Sequence, residues 1–366
     1  MKVLFFIHDL AHGGAEKVLI NLVNNMNLEK FDITVMTLFD VGINKQFLKN
    51  NIKYKTCFKK LFPANSYLMK LFTPTQLHKM FIKEKYDIEI AYLEGPCTRI
   101  ISGCPFDCTK KIAWLHSTVN GYEQLKSSYR STSEAINCYK KFNEIVCVSN
   151  SINEKLTQLL NNSKTEVLYN TNESDKIIKL STESISGFDS KKINIISVGT
   201  LKDIKGFDRL INIHSKLILD GYNIHTYILG QGPQKNYLEK LIAEKRIQSS
   251  FTLLGYDTNP YKYLSKSDLF VCSSYSEGFS TATTEALIVG TPVCTVNVSG
   301  MKEMLGENNE YGVVVDNTEE ALYKGIKHFL DNPKLLSYYK KKAIERGKTF
   351  STENTVKSVE NMLLNI

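Results

Sequence analysis

Residues 268–296 have the sequence DLFVCSSYSEGFSTATTEALIVGTPVCTV, in which an apolar segment, a glycine-bearing turn, a helical segment and a second apolar segment follow one another. The first apolar segment, 268–274, is typical of a buried strand. Ser280 or Thr281 can cap a helix that ends near Gly290. Because a strand, a helix and a strand in this order form the unit of a helix-covered parallel sheet, the stretch predicts an α/β fold.

The same alternation of short apolar strands and amphipathic helices continues through the 366 residues. A chain of this length can form two domains, each with its own core. Polar residues dominate positions 171–192, which we interpret as a linker between doubly wound parallel-sheet domains at 1–180 and 190–349. The predicted strands are 3–7, 32–38, 87–93, 111–115, 144–149 and 165–169, followed by 193–198, 224–229, 251–254, 268–273, 292–296 and 312–315.

Two carboxylates, Glu277 and Glu285, flank the turn at the start of the predicted helix. Unpaired amides and the positive end of the helix dipole favour a phosphate there. Eight helical positions span roughly 12 Å, which suits two hydroxyl-bearing rings on either side of a diphosphate. The pattern therefore indicates a sugar-nucleotide site. The alternative is that both acids are surface residues that complement the helix dipole.

Five motifs resemble those of glycosyltransferase family 4, the retaining enzymes of the GT-B fold, and they follow the order usual in that family. Together they extend over most of the chain. They are GGAE at 13–16, VGTLKDIKGFDRL at 198–210, LGQGP at 229–233, LGY at 254–256, and the E-x7-E stretch 277–285 with GTPV at 290–293. The resemblance implies two Rossmann-like domains that face each other across a cleft. The first would bind the acceptor and the second the nucleotide sugar, and a helix at about 350–366 would pack back on the first domain.

The resemblance also assigns roles in the second domain. Lys205 would bind the pyrophosphate, because a cation beside a helix start is favourable when an anion sits there. Glu277 would lie beside the donor sugar and Glu285 on the nucleotide ribose. The remaining candidates are the amides of Gly278, Phe279, Ser280 and Thr281, which would face phosphate, and Leu254 and Tyr256, which fall at the base pocket or else serve strand packing.

In the first domain the candidates are Gly13, Gly14 and His116. The glycines follow a strand and open a helix, so they either form a turn that needs positive φ or allow a substrate to approach the backbone. His116 ends the strand 111–115, where it is either a structural residue or a group that exchanges protons with the sugar or acceptor. His8 and His12 are further candidates of the same kind.

No Asp-x-Asp sequence occurs in the chain, which agrees with a leaving diphosphate held by cations and amides and not by a metal. We therefore expect a nucleoside-diphosphate sugar as co-substrate and no cofactor. Thr200 stands where the family usually has arginine, and Lys202 is the candidate to supply the missing charge. Cys97, Cys104 and Cys108 do not have the paired spacing of common zinc sites.

The resemblance implies a retaining, metal-independent transferase that moves a sugar from a nucleoside-diphosphate donor to a hydroxyl of a glycan or lipid-linked acceptor, in bacterial surface polysaccharide synthesis. Two alternatives remain open at this point. One is a sugar-nucleotide-binding adaptor without activity, for which Thr200 is the supporting feature, and the other is a nucleotide-sugar epimerase of the same fold.

Composition and charge limit where the protein is expected to be located and which partners it is expected to bind. Residues 2–7 are too short for a signal-peptide core, and no window has the ~18 apolar residues that cross a bilayer. We therefore expect a cytoplasmic protein whose eight cysteines are reduced. Residues 45–86 contain ten lysines and one acid among apolar side chains, which indicates either peripheral membrane contact or a solvated helical face. Nucleic acid is not expected, since the basicity is local and no recognition motif accompanies it.

Overall fold

The computed structural model describes residues 1–366 except 12, 63–64, 118, 120, 122, 124–126, 161–163, 186, 190 and 299. It divides into two compact units. The first consists of Met1–Thr171 and Thr352–Ile366, and the second of Asn172–Ser351. Each unit is built around its own parallel sheet.

The first unit has a seven-stranded parallel sheet in the order β3-β2-β1-β4-β5-β6-β7. Its strands are β1 Lys2–Ile7, β2 Asp32–Phe39, β3 Lys53–Phe58, β4 Ile88–Ala91, β5 Lys110–Leu115, β6 Glu144–Cys147 and β7 Thr165–Val167. Its helices are α1 Gly14–Asn25, α2 Asn65–Met69, α3 Pro74–Phe81, α4 Pro96–Ile101, α5 Thr132–Tyr139, α6 Asn150–Leu160 and, from the end of the chain, α15 Thr352–Asn365. A 3-10 turn covers Asn44–Phe47.

The second unit has a six-stranded parallel sheet in the order β10-β9-β8-β11-β12-β13. Its strands are β8 Ile193–Val198, β9 Ile224–Leu229, β10 Phe251–Gly255, β11 Leu269–Cys272, β12 Val293–Val296 and β13 Val313–Val315. Its helices are α7 Ser174–Ser181, α8 Phe207–Leu219, α9 Lys235–Glu244, α10 Tyr261–Leu264, α11 Thr281–Val289, α12 Met301–Leu305, α13 Glu319–Asp331 and α14 Lys334–Gly347. Short 3-10 turns cover Asp203–Lys205 and Lys348–Phe350.

The central strands are apolar throughout because helices cover both faces of each sheet. In β1 every residue after Lys2 is buried, and all four residues of β11 and of β12 are buried. The predicted parallel sheets are therefore confirmed. The prediction omitted β3, whose residues are mostly half-buried and partly polar, because β3 is the edge strand next to β2 and so lacks the apolar run of a central strand.

The helix predicted after the Glu277 turn is also confirmed. The Ser280 hydroxyl accepts a hydrogen bond from the Thr283 amide at 3.3 Å, so Ser280 is the N-cap of α11. Gly290 ends the helix with φ +81°, the left-handed conformation that glycine adopts without strain.

The predicted linker at 171–192 is wrong in part, because residues within it form α7. This helix packs on α10 and α11, and the Asn172 side-chain amide donates a hydrogen bond to the Thr284 hydroxyl at 3.2 Å. The first unit consequently ends at Thr171, before the predicted limit of 180. Helix α15 is part of the first unit: it packs on α1, and the Asn27 amide donates to the Glu360 carboxylate at 2.6 Å.

All eight cysteines are free, and five of them are buried. Among the helices of the described residues, none has the length and apolar character needed to cross a membrane.

Candidate functional site

The strand order of the second sheet determines where its functional loops meet. The chain leaves β8 toward β9 on one side, whereas β11 and β12 lie on the other side of β8. Loops from the carboxyl ends of the strands diverge at such a switch point and leave a crevice in which ligands of doubly wound sheets bind. The loop after β8 carries Lys205, and the loop after β11 carries Glu277.

Lys205 and Glu277 form an ion pair in this crevice. The Lys205 Nζ and Glu277 Oε1 atoms are 2.6 Å apart, and the side chains are 27% and 11% exposed. The Ser274 hydroxyl donates a second hydrogen bond to the same carboxylate oxygen at 2.6 Å. Burial, together with the nearby Glu277 charge, raises the pKa of the Cys272 thiol, which lies 4.0 Å from Glu277 Oε1. The structure therefore brings together a cation and an acid that the sequence placed in separate motifs.

Arg209 holds the loop that carries Glu277. Its Nε donates to the Ser273 carbonyl at 2.6 Å, and its Nη2 donates to the Ser274 carbonyl at 2.8 Å. The remaining arm donates to Asn317 Oδ1 at 2.8 Å, and the guanidinium lies 4.3 Å from the centre of the Tyr275 ring. A buried planar fork of this kind satisfies several carbonyls at once and fixes their positions.

Gly206 allows the Lys205 loop to lie against the same backbone. Its φ is +59°, and a Cβ atom at this position would come within 2.2 Å of the Ser273 carbonyl oxygen. The Ser273 hydroxyl also donates to the Lys205 carbonyl at 3.0 Å. Glycine is required here both for the left-handed conformation and for the close approach.

The start of α11 supplies hydrogen-bond donors next to Glu277. Ser280 accepts from the amides of Thr283 and Thr284, through its hydroxyl and its carbonyl respectively. Within the described part of the chain, the amides of Thr281 and Ala282 are the donors of this first turn that no backbone or cap acceptor takes. These two amides are therefore available to an anion.

The other predicted residues of this turn differ in their surroundings. Phe279 is buried with its ring 6.0 Å from that of Phe350, so its side chain serves packing. Gly278 precedes it, and the Gly278 carbonyl oxygen would lie 3.4 Å from a Cβ atom at Gly300. Glu285, which is 4% exposed, accepts a hydrogen bond from the Tyr261 hydroxyl at 3.3 Å. The structure thus gives Glu285 a polar partner inside the second unit.

Thr200 and Lys202 are exposed at the carboxyl end of β8. Lys202 lines a cavity of about 400 Å³ together with Phe207 and Tyr237, whereas Lys205 and Glu277 are not among the residues lining it. The structure therefore does not pair Lys202 with Glu277 in the way that it pairs Lys205.

Leu254 and Tyr256 lie at the end of the edge strand β10. Leu254 is half-buried, and Tyr256 follows the strand with 55% of its surface exposed. Because Tyr256 is exposed, its side chain does not pack within the strand, which was the alternative interpretation of this residue.

In the first unit the switch point lies between β1 and β4. Gly13 and Gly14 follow β1, and Gly13 is the N-cap of α1 with φ −92°. Of the two interpretations of this turn, the one that needs positive φ is therefore wrong, because Gly13 is in the ordinary extended region and Gly14 has no positive φ either. A Cβ atom at Gly14 would meet nothing within 4 Å, so packing of the described residues does not account for glycine there.

His116 follows β5, and its ring lies against that of Tyr92 with the ring centres 4.8 Å apart and the planes tilted by 50°. Its backbone amide donates to the Glu94 carboxylate at 3.2 Å. The Nε2 atom is buried and has no hydrogen-bond partner among the described residues. Burial lowers the pKa of His116 to about 3, so the imidazole is neutral near pH 7. His8 pairs with Asp9 at 2.7 Å, and His12 lies outside the described residues.

Sequence reasoning missed Ser274, Arg209 and Asn317. A signal for Arg209 exists in hindsight: it is a charged residue among the buried apolar positions of the amphipathic helix α8. Ser274 and Asn317 have no comparable signal, because polar loop residues of this kind are common on protein surfaces.

Comparison with known proteins gives a consistent result. Residues 179–346 match the protein family described as Glycosyl transferases group 1. The chain is 29% identical over 99% of its length, and 99% of the relative's, to the N-acetylgalactosamine-N,N'-diacetylbacillosaminyl-diphospho-undecaprenol 4-alpha-N-acetylgalactosaminyltransferase of Campylobacter jejuni.

Two solved structures illustrate the likeness of fold. HepE from Anabaena in complex with UDP aligns over all of both chains with a TM-score of 0.80 and 17% identity. The apo form of the lipopolysaccharide outer core galactosyltransferase WaaB aligns over 100% of this chain and 99% of its own with a TM-score of 0.75 and 17% identity. The predicted GT-B architecture, with two parallel-sheet α/β domains, is thereby confirmed.

Proposed function

We propose that the chain is a member of the glycosyl transferases group 1 family, whose model matches residues 179–346, and that it is a retaining, metal-independent enzyme. It would transfer a sugar from a UDP-activated donor to a hydroxyl group of a lipid-linked or polysaccharide glycan. The observation that carries the proposal is the Lys205–Glu277 pair at the switch point of the second sheet, next to the free amides of α11. This arrangement offers positive charge for a diphosphate and a carboxylate for sugar hydroxyls.

The ion pair suggests how the donor is received. The diphosphate competes with Glu277 for the Lys205 ammonium and takes the amides of Thr281 and Ala282 as further donors. Glu277 then accepts hydrogen bonds from the hydroxyls of the donor sugar, and the Ser274 hydroxyl keeps its carboxylate in place. Glu285 would bind the ribose, and Leu254 and Tyr256 would contact the base at the end of β10.

In the transfer step the bond between C1 of the sugar and the diphosphate oxygen breaks, and a bond between C1 and the acceptor oxygen forms on the same face. The acceptor proton passes to an oxygen of the departing phosphate. Lys205 and the two amides stabilise the charge that develops on the diphosphate, a task that elsewhere falls to a metal ion. Glu277 orients the sugar and does not act as the nucleophile.

His116 would act as a neutral hydrogen-bonding group and not as a cationic acid. Its lowered pKa keeps the imidazole uncharged near pH 7. The buried Nε2 atom can accept a hydrogen bond from a hydroxyl of the acceptor or donate one to it, depending on the tautomer. Gly14 leaves open space over the start of α1, which would allow a substrate to approach the backbone.

The acceptor is best described as a glycan on a lipid carrier, since the Campylobacter relative is named for an undecaprenol-linked acceptor. The 45–86 region of the first unit supports this choice. It exposes large apolar side chains among lysines, as a peripheral membrane surface does. These apolar residues are Phe47, Leu61, Tyr67, Leu68, Leu71, Phe72 and Met80. We therefore place the enzyme on the cytoplasmic face of a membrane, where nucleotide sugars are available.

A donor screen followed by a transfer assay tests the proposed activity. UDP-sugars should raise the thermal unfolding midpoint, because a ligand that binds the folded state stabilises it. The same sugar should then pass to a polyprenyl-diphosphate-linked saccharide with its anomeric configuration retained, as NMR of the product would show. Donor binding without transfer or hydrolysis would favour a non-catalytic adaptor, and an altered nucleotide sugar would favour an epimerase. Named transferases among the relatives make both alternatives the less favoured ones.

The metal requirement is tested separately. Transfer should continue after treatment with EDTA, because the diphosphate is neutralised by Lys205 and the helix amides. Loss of transfer that Mg²⁺ or Mn²⁺ restores would contradict the metal-independent mechanism.

A further inference from the structure

His78, Glu89 and Cys104 form a buried cluster in the first unit that has no part in the proposed transfer. His78 lies on α3, Glu89 is the second residue of β4, and Cys104 follows α4. One ligand atom from each side chain lies within 4.8 Å of the other two. The His78 Nε2 and Glu89 Oε2 atoms are 2.7 Å apart. Glu89 lies near the amino end of β4, away from the carboxyl end where ligands of such sheets bind.

The hydrogen bonding of this cluster is incomplete. His78 and Glu89 are 1% and 0% exposed, and Cys104 is half-buried. The His78 Nδ1 and Glu89 Oε1 atoms are buried without a hydrogen-bond partner in the part of the chain that the structure describes. A buried carboxylate oxygen without a partner is unfavourable, so the cluster has a capacity for binding that the described residues do not use.

We propose that this cluster is a zinc site. Imidazole nitrogen, thiolate sulfur and carboxylate oxygen are the three ligand types that Zn²⁺ binds in proteins, whereas Ca²⁺ and Mg²⁺ take oxygen ligands. With metal–ligand distances of about 2.0–2.3 Å, the ligand atoms of a tetrahedral site are roughly 3.3–3.8 Å apart. The cluster atoms already lie within 4.8 Å of one another, so modest side-chain movement brings them to one ion.

Cys104 is half-buried, so a water molecule on its side of the cluster would complete the coordination. Bound zinc neutralises the Glu89 carboxylate and the Cys104 thiolate. Because the three ligands come from α3, β4 and the segment after α4, the ion ties these elements together. Bound zinc would therefore stabilise the first unit, and its site does not conflict with a metal-free transfer reaction that uses Lys205 and Glu277 of the second unit.

Metal-depleted full-length protein with added ZnCl2 tests the proposal. Wild type should bind one zinc ion per chain by elemental analysis, and its thermal midpoint should rise. Cys104→Ser should lose most of the bound zinc and the thermal shift. Cys108→Ser is the matched control, because Cys108 is an exposed thiol four positions away that is not part of the cluster, and this variant should bind zinc as wild type does.

Cobalt(II) provides a second readout that does not depend on stability. Wild type and Cys108→Ser should show the charge-transfer absorption of a cobalt–thiolate bond, and Cys104→Ser should not. Glu89→Gln should weaken zinc binding at least tenfold; if it fails to fold, Cys104→Ser decides the matter. Zinc binding by Cys104→Ser equal to wild type, or no zinc bound by wild type, would overturn the proposal and leave a buried hydrogen-bonded pair.

Discussion

The Lys205 ammonium and the Glu277 carboxylate form a 2.6 Å ion pair although 72 positions separate them in the sequence. The pair exists because β8 and β11 are neighbours in the sheet and their loops meet at its switch point. Both side chains are partly exposed, so a donor diphosphate can reach the cation and a sugar can reach the acid.

Substitution of either member of this pair should depress transfer strongly. Lys205→Ala removes the positive charge that stabilises the leaving diphosphate, and Glu277→Gln weakens the hydrogen bonds to the sugar. We therefore expect kcat/KM to fall roughly 10²–10³-fold in each variant. In the double variant the two losses in kcat/KM should not be additive, because both groups contact the same donor molecule. Lys216→Ala and Glu320→Gln are controls. These residues form an exposed ion pair away from the switch point, with Lys216 Nζ and Glu320 Oε2 3.0 Å apart. Wild-type rates for Lys205→Ala would contradict the site.

Arg209→Lys should reduce both stability and turnover. Lysine cannot reproduce the fork that donates to the carbonyls of Ser273 and Ser274, and we expect a loss of about 1–3 kcal/mol in unfolding free energy. The loop that carries Glu277 would also lose its support, so kcat/KM should fall. Arg346→Lys is the matched control: Arg346 donates in the same way to the carbonyls of Glu303 and Met304. It should lose stability without a comparable kinetic loss, and equal kinetic losses would argue against a positioning role for Arg209.

Gly206→Ala should displace the Lys205 loop. The added methyl group would lie 2.2 Å from the Ser273 carbonyl oxygen, and the left-handed backbone itself costs roughly 1–2 kcal/mol for a residue with a side chain. Gly221→Ala separates the two effects, because Gly221 has φ +89° but no atom within 4 Å of the added Cβ. Calorimetry should show weaker UDP-sugar binding for Gly206→Ala only. Unchanged donor affinity in that variant would mean that the loop tolerates the movement.

His214 should make the fold less stable in mild acid. The imidazole is buried between the hydroxyls of Thr226 and Ser250, and burial lowers its pKa to about 3. His214 takes up a proton near pH 6.5 in the unfolded chain but not in the folded chain, so acid favours the unfolded state. The stability that neutral His214 gives the fold is complete above pH 6.5 and is lost as the pH falls. Between pH 7 and pH 5 the free energy of unfolding should decrease by about 2 kcal/mol through this residue.

Urea unfolding at both pH values measures this effect. His214→Gln should show a smaller loss of stability on acidification than wild type does, whatever its stability at pH 7. His328→Gln, an exposed residue on α13, should keep the wild-type pH dependence. An identical pH dependence in wild type and His214→Gln would assign the acid sensitivity to other groups.

The exposed apolar residues of the first unit should bind anionic membranes. Leu68→Ser combined with Leu71→Ser removes two side chains that are 49% and 72% exposed among lysines, so co-sedimentation with vesicles containing anionic lipid should decrease severalfold. Leu219→Ser is the control, because Leu219 is 84% exposed in the second unit. Equal binding by the double variant and the control would leave this region as a solvated surface.

Much of the fold could be predicted from local patterns. Runs such as VLFFI and LFVC are typical of strands that are covered on both faces of a parallel sheet. The Ser280 cap and the Gly290 terminus of α11 follow from the chemistry of single residues. Peripheral elements are harder to predict from the sequence. The residues of β3 are half-buried and lack an apolar run, and the exposed face of α7 is polar and therefore resembles a linker.

The site could be predicted only as a set of separate candidates. Motif resemblance identified Lys205 and Glu277 individually, but neither their pairing nor the part played by Arg209 follows from spacing along the chain. The buried cluster shows the same limit. Cys104 was considered with Cys97 and Cys108, its neighbours in sequence, whereas the structure places it with His78 and Glu89.

Sequence by itself determined the parallel α/β architecture, the helix ends and the residue types that suit a nucleotide sugar, because these depend on hydrophobic periodicity and on backbone chemistry within a few residues. Tertiary structure alone decided which of those residues meet. The order of strands in a sheet places distant loops side by side, and only that packing brings the ammonium of Lys205 to the carboxylate of Glu277 or closes a carboxylate, an imidazole and a thiol into one buried cluster.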